Sequence, residues 1–156
     1  NPRQVTSEQM DRWVYDFDSW DVCDQCCSNL FDKTVFAYNK ALIWCQSDKE
    51  FVKRAGFVLM AALAVHDKKT KDEAFLPFLE ALKVGAYDDR NFVKKAVNWA
   101  LRQIGKRNNN LNEKALETAR AIREIDSKSA KWISSDATRE LTSESVQKRL
   151  KKKISR

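Results

Sequence analysis

Glycine and proline are nearly missing from this chain, three and two residues in 156. Both dominate the tight turns that join β-strands, so their scarcity argues against a sheet built from hairpins. Histidine occurs once, at His66, which leaves the four cysteines short of the partners that a zinc site needs. Cys23 and Cys26 have Cys-x-x-Cys spacing, but no strand pattern precedes them and no second pair follows, so a redox motif lacks its context. Reduced thiols packed in or near an intracellular core are the expectation. No apolar run reaches the length that spans a bilayer, and no charged, apolar, small-residue order opens the chain. A soluble, cytoplasmic protein without a membrane partner is expected.

Lysine, alanine, leucine and glutamate are plentiful, the composition of an all-α chain. The length suits one domain with a core large enough to dispense with disulfides. Twenty-nine Lys and Arg against 22 Asp and Glu leave a formal charge of +7. A basic surface favours polyanions, among which nucleic acid is the commonest in cells, although the same charge also serves plain solubility.

Helix signals punctuate the whole chain. Thr6 and Gln9 form a capping box for a helix to about Tyr15. Ser19 is placed to N-cap a second, to about Phe31, and a third is predicted from about Val35 to Gln46. Asp48 is the expected cap of a fourth, from about Lys49 to Val65, which is apolar nearly all round after Arg54 and therefore central. A polar loop from His66 to Lys71 precedes a helix ending at about Val84, with Gly85 as an αL cap and Pro77 implying a late start or a kink. Asp88 or Asp89 opens the next, to about Arg107; Asn110 and Glu113 box another, to about Ile125. Two shorter helices are predicted at Ser129 to Leu141 and Ser143 to Lys152.

Phe51-Val52-Lys53-Arg54-Ala55 recurs as Phe92-Val93-Lys94-Lys95-Ala96, at an offset of 41 residues. That spacing suits a two-helix unit of the HEAT type, which buries its apolar face only by stacking on the next unit. An α-solenoid of HEAT-like helical repeats is therefore expected. In the helix around Trp99, Val93, Val97, Ala100 and Ile104 form an apolar stripe, while Lys95, Trp99, Arg102 and Lys106 form another at spacings of four, three and four. An indole interleaved with cations suits a surface that meets phosphates with its charges and a base or sugar with its ring; a tryptophan packed between helices is the plainer reading. The repeat places Arg54 where Lys95 lies. Trp20 and Asp24 stand four residues apart, one turn of a helix, and share a face. Taken singly, Asp24 reads equally as a helix cap or an ion-pair partner of Arg54, and Trp20 as core. Trp13, Trp44 and Trp132 are assigned to packing.

Together, Trp20-Asp21-Val22-Cys23-Asp24, Phe51 to Ala55 and Phe92 to Arg102 resemble, in order and spacing, the motif blocks of the AlkD-type DNA alkylation repair proteins, HEAT-like-repeat DNA glycosylases. The similarity runs through about residues 7 to 141. What the resemblance implies is hydrolytic excision of cationic N3- or N7-alkylated purines from double-stranded DNA, by a monomer that needs no metal or organic cofactor. Asp24 matches the catalytic aspartate, Trp20 and Trp99 the pair of site tryptophans, Arg54 the phosphate-binding arginine and Arg102 a further family arginine; Lys95 and Lys106 extend the basic stripe. Family members carry further repeats before the Trp-Asp block. Residues 1–156 are accordingly expected to be one domain, the C-terminal portion of a longer protein, with 142–156 a basic terminal helix or tail. The alternatives are a non-catalytic DNA-binding solenoid and a protein scaffold.

Overall fold

A computed structural model describes residues 1–154. Nine α-helices are found among the described residues: α1 (Ser7–Tyr15), α2 (Trp20–Asn29), α3 (Ala37–Trp44), α4 (Glu50–His66), α5 (Leu76–Gly85), α6 (Asn91–Gly105), α7 (Asn109–Arg123), α8 (Lys128–Leu141) and α9 (Glu144–Ile154). None is long and apolar enough to cross a membrane. Residues 155 and 156 of the expected basic tail lie outside the described residues.

The helices form two layers. α2, α4, α6 and α8 pack side by side in that order, α3, α5 and α7 lie against them, and the pairs α3/α4, α5/α6 and α7/α8 are the stacked units. This is the all-α array of helical repeats expected from the 41-residue offset, and the two copies of the recurring segment open α4 and α6, with the Phe51 and Phe92 rings in contact at 5.4 Å. α4 is central as its composition requires: every residue from Arg54 to Ala64 is buried. Each large apolar side chain in that run contributes about 1.5 to 3 kcal/mol by leaving water. Where α3 crosses α4, a Cβ on Gly56 would come within 2.8 Å of the Ala41 carbonyl oxygen, so the crossing depends on the missing side chain.

Several boundaries differ from expectation for local reasons. The predicted capping box of Thr6 and Gln9 is present. Gly85 is not an αL cap: it is the last residue of α5, no described residue has positive φ, and its bare Cα accommodates the Phe57 ring. Pro77 lies in the first turn of α5, where a missing N–H costs nothing. α7 is capped by Asn108, whose Oδ1 accepts from the Leu111 backbone N–H at 2.8 Å, and not by Asn110, which donates to Asp72. Asp48 leaves the cap of α4 to Lys49.

Candidate nucleic-acid interface

Two thiols seat α2 on α4. Cys23 and Cys27, four residues apart and buried, donate to the carbonyls of Phe51 and Ala55 at 3.6 and 3.5 Å. Burial pushes the Cys27 thiol well above its ordinary range, and all four cysteines are free. With the Cys23 and Cys27 edge fixed, Asp24 is carried to the side of α4 where Arg54 emerges. Ser19 precedes the helix in extended conformation but its side chain makes no capping bond.

Arg54 then joins three helices. Its Nε and Nη2 donate to the two oxygens of Asp24 at 2.9 and 2.8 Å, a bidentate pair, and Nη1 donates to the Phe92 carbonyl of α6 at 2.6 Å. The guanidinium has five N–H donors, so two remain beyond these bonds. Side-chain exposure is 8% for Arg54 and 17% for Asp24. The carboxylate is thus held in one orientation yet is not sealed from solvent. Trp20, one turn before it, is half exposed.

Beyond Arg54 opens a cavity of about 390 Å³, lined by Lys95, Trp99 and Arg102 of α6 and by Trp132 and Asp136 of α8. Trp99 does both things its sequence context allowed: it packs against the core and lines the cavity. Lys95 is exposed. Arg102 donates to Glu140 of α8 at 2.9 Å and to Asn98 of its own helix at 2.5 Å, while Asn98 donates to Asp136 of α8 at 3.1 Å. Burial works to raise the Glu140 carboxyl, but Lys106 and Arg102 outweigh it and hold it below the usual range. The apolar stripe of α6, Val93, Val97, Ala100 and Ile104, is fully buried on the opposite side.

A model of the DNA alkylation repair enzyme family matches residues 2–141. The chain belongs to the DNA alkylation repair enzyme family. One solved structure shares its fold, with a TM-score of 0.66 at 22% identity over 89% of this chain and 64% of the other; that protein represents a new family related to the HEAT-like repeat DNA glycosylases, with affinity for branched DNA structures. The chain therefore spans less than two thirds of that relative's length. No curated protein gave a significant sequence match.

In this DNA alkylation repair family member, four of the seven residues singled out from the sequence, Arg54, Lys95, Trp99 and Arg102, line one cavity. Asp24 joins them through its ion pair with Arg54, and Trp20 stands beside Asp24 on the outer surface. Lys106 does not belong with them. One turn along α6 from Arg102, it is bound to Glu140 at 2.8 Å and lines a different cavity. Of the tryptophans assigned to packing, Trp44 is buried with Nε1 donating to Asp11 at 3.0 Å, and Trp13 stacks on Phe31. Trp132 is a correction: Trp13 is equally exposed, at 40%, but stacks on Phe31, whereas Trp132 lines the cavity and has Lys94 over its ring at 5.5 Å. A signal for it was present. Trp132 and Asp136 repeat the four-residue spacing of Trp20 and Asp24, and each aspartate lies by an arginine of the neighbouring helix.

Proposed function

We propose that the chain is a DNA-repair glycosylase that hydrolyses the N-glycosidic bond of cationic N3- or N7-alkylated purines in double-stranded DNA. The observation that carries this reading is the clamped Asp24: a carboxylate oriented by two guanidinium bonds, one turn from an exposed indole, and joined through Arg54 to a cavity lined by two more indoles and further cations.

An alkylated purine already bears positive charge. When the bond from C1′ to the base nitrogen breaks, both electrons go to the base and neutralise it, so no acid is needed. The sugar is left oxocarbenium-like, and a fixed carboxylate stabilises that charge, as in glycoside hydrolysis. Water adds at C1′ and gives up a proton, for which Asp24 is the acceptor. The products are a free base and an abasic site with the strand intact. The indole faces of Trp20, Trp99 and Trp132 favour the cationic base and the developing sugar cation by about 0.5 to 2 kcal/mol each. Arg54, with two N–H groups left over, holds Asp24 and offers a contact to phosphate; Lys95 adds charge without reading sequence. Arg102, fastened to Asn98 and Glu140, forms part of the cavity wall together with Trp99.

A second reading, a DNA-binding protein without excision, draws support from the relative with affinity for branched DNA. Incubating the protein with methylated duplex DNA and identifying the freed bases separates the two. Release of 7-methylguanine or 3-methyladenine that disappears in Asp24→Asn, with DNA binding kept, is expected of the glycosylase; binding without release at any enzyme concentration supports the alternative.

A further inference from the structure

The carboxyl-terminal ends of α4 and α6 meet α9 around a second cavity, of about 250 Å³, lined by Lys68, Lys106, Arg107, Arg149 and Lys153. Structural duties account for only part of this set. Arg107 donates to the carbonyls of Ala64 and Asp67 at 2.8 and 2.7 Å and lies over the Phe75 ring. Lys153 donates to the carbonyls of Lys106 and Arg107 at 3.2 and 2.9 Å. Carbonyls at helix ends satisfy hydrogen bonds but carry only partial charge; the Asp67 carboxylate offsets part of the Arg107 charge, whereas Lys153 has no ion pair among the described residues. Lys106 shares the Glu140 carboxylate with Arg102. Asp72, the carboxylate in the lining, is occupied by the side-chain amides of Asn108 and Asn110 at 2.8 Å each.

Lys68 and Arg149 are different. Both are exposed, come from separate elements, and reach the same cavity with no carboxylate in ion-pair range among the described residues. Helix ends explain why cations gather at Arg107 and Lys153, not why a loop lysine and an arginine of α9 converge on the same space. Their charge is felt at Lys153. The Lys153 ammonium is held below the usual lysine range, first by burial and then by the positive charge of Lys68, Arg149 and Arg107. A dianion in the cavity would relieve this strain of like charges. The space equals the liquid volume of roughly eight waters, enough for one or two linked phosphates.

We infer that this cavity is a phosphate-binding site, with Lys68 and Arg149 as its principal contacts. The phosphate is either a diester of a nucleic-acid backbone or part of a free polyphosphate, and the inference does not depend on base excision. The test compares the wild-type chain with Lys68→Ser/Arg149→Ser, whose two side chains are exposed and whose fold is checked by an unchanged thermal midpoint. Inorganic pyrophosphate is titrated while the backbone amides of residues 68–70 and 106–108 are followed by NMR, and the salt dependence of binding to an undamaged linear duplex is measured in parallel. A saturable shift at those amides, weakened at least tenfold in the double variant, identifies a site for free polyphosphate. A fall of about two in the log–log salt slope identifies a backbone site, one unit for each cation removed. If the double variant changes neither, the cavity does not bind phosphate and the inference is overturned.

Discussion

Arg54 and Asp24 are expected to behave as one energetic unit, and a double-mutant cycle measures this. Arg54→Ala removes both guanidinium bonds to a carboxylate whose side chain is only 17% exposed, and with them the bond to the Phe92 carbonyl. Leaving such a charge without its partner costs about 3 kcal/mol, the lower end for a broken buried pair because some water reaches Asp24. Asp24→Ala leaves the deeper guanidinium, at 8% exposure, in the same position and is expected to cost about as much. The double variant removes both charges at once and is expected to cost little more than either single change, which gives a coupling of about 2 to 3 kcal/mol. Urea denaturation of the four proteins reads the coupling directly, and in thermal scans each single variant is expected to melt roughly 6 to 12 °C lower. Penalties that add to within about 0.5 kcal/mol would refute a coupled pair and with it the idea that Arg54 fixes the carboxylate.

Two further outcomes are expected. Trp132→Ala should keep the fold, since the ring is 40% exposed, but weaken duplex binding about tenfold, in line with the loss of one stacking platform; unchanged affinity would return Trp132 to a packing role. Acid should destabilise the protein through Asp88. Burial works to raise that carboxyl, yet Arg90 and Lys53 outweigh it and hold it far below the ordinary carboxylate range. A depressed folded pKa means stability that is complete above the unfolded value, about 4, and is lost as pH falls toward the folded one. Urea midpoints should therefore drop below about pH 4, and Asp88→Asn should flatten that acid limb; an equally steep limb in the variant would contradict it.

Architecture was legible in the sequence because stacking leaves a period. The 41-residue offset placed Arg54 and Lys95 in successive helices of one layer, and the fully apolar run after Arg54 marked α4 as central. Local chemistry was less legible where tertiary contacts decided it. Gly85 looked like a cap from its position, but its bare Cα is needed for the Phe57 ring, a contact 28 residues away in sequence. Helical periodicity puts Lys106 on the same stripe as Trp99, yet α6 ends at Gly105, and Lys106, its C-cap, lines another cavity while sharing Glu140 of α8 with Arg102. Trp132 reads as a packing residue in the sequence because its partners, Lys94 and the cavity wall of α6, lie on a different helix; only the repeated Trp-to-Asp spacing within α8 carries its signal.

The most direct test of the proposed chemistry needs no turnover. Duplex DNA containing a cationic pyrrolidine in place of one deoxyribose mimics the oxocarbenium-like sugar, and a neutral tetrahydrofuran in the same sequence serves as the reference. If Asp24 stabilises that cation, the wild-type chain binds the cationic duplex at least tenfold more tightly than the neutral one, and Asp24→Asn erases the difference while its affinity for the neutral duplex is unchanged. Equal affinity of the wild-type chain for the two duplexes would contradict the catalytic role of Asp24.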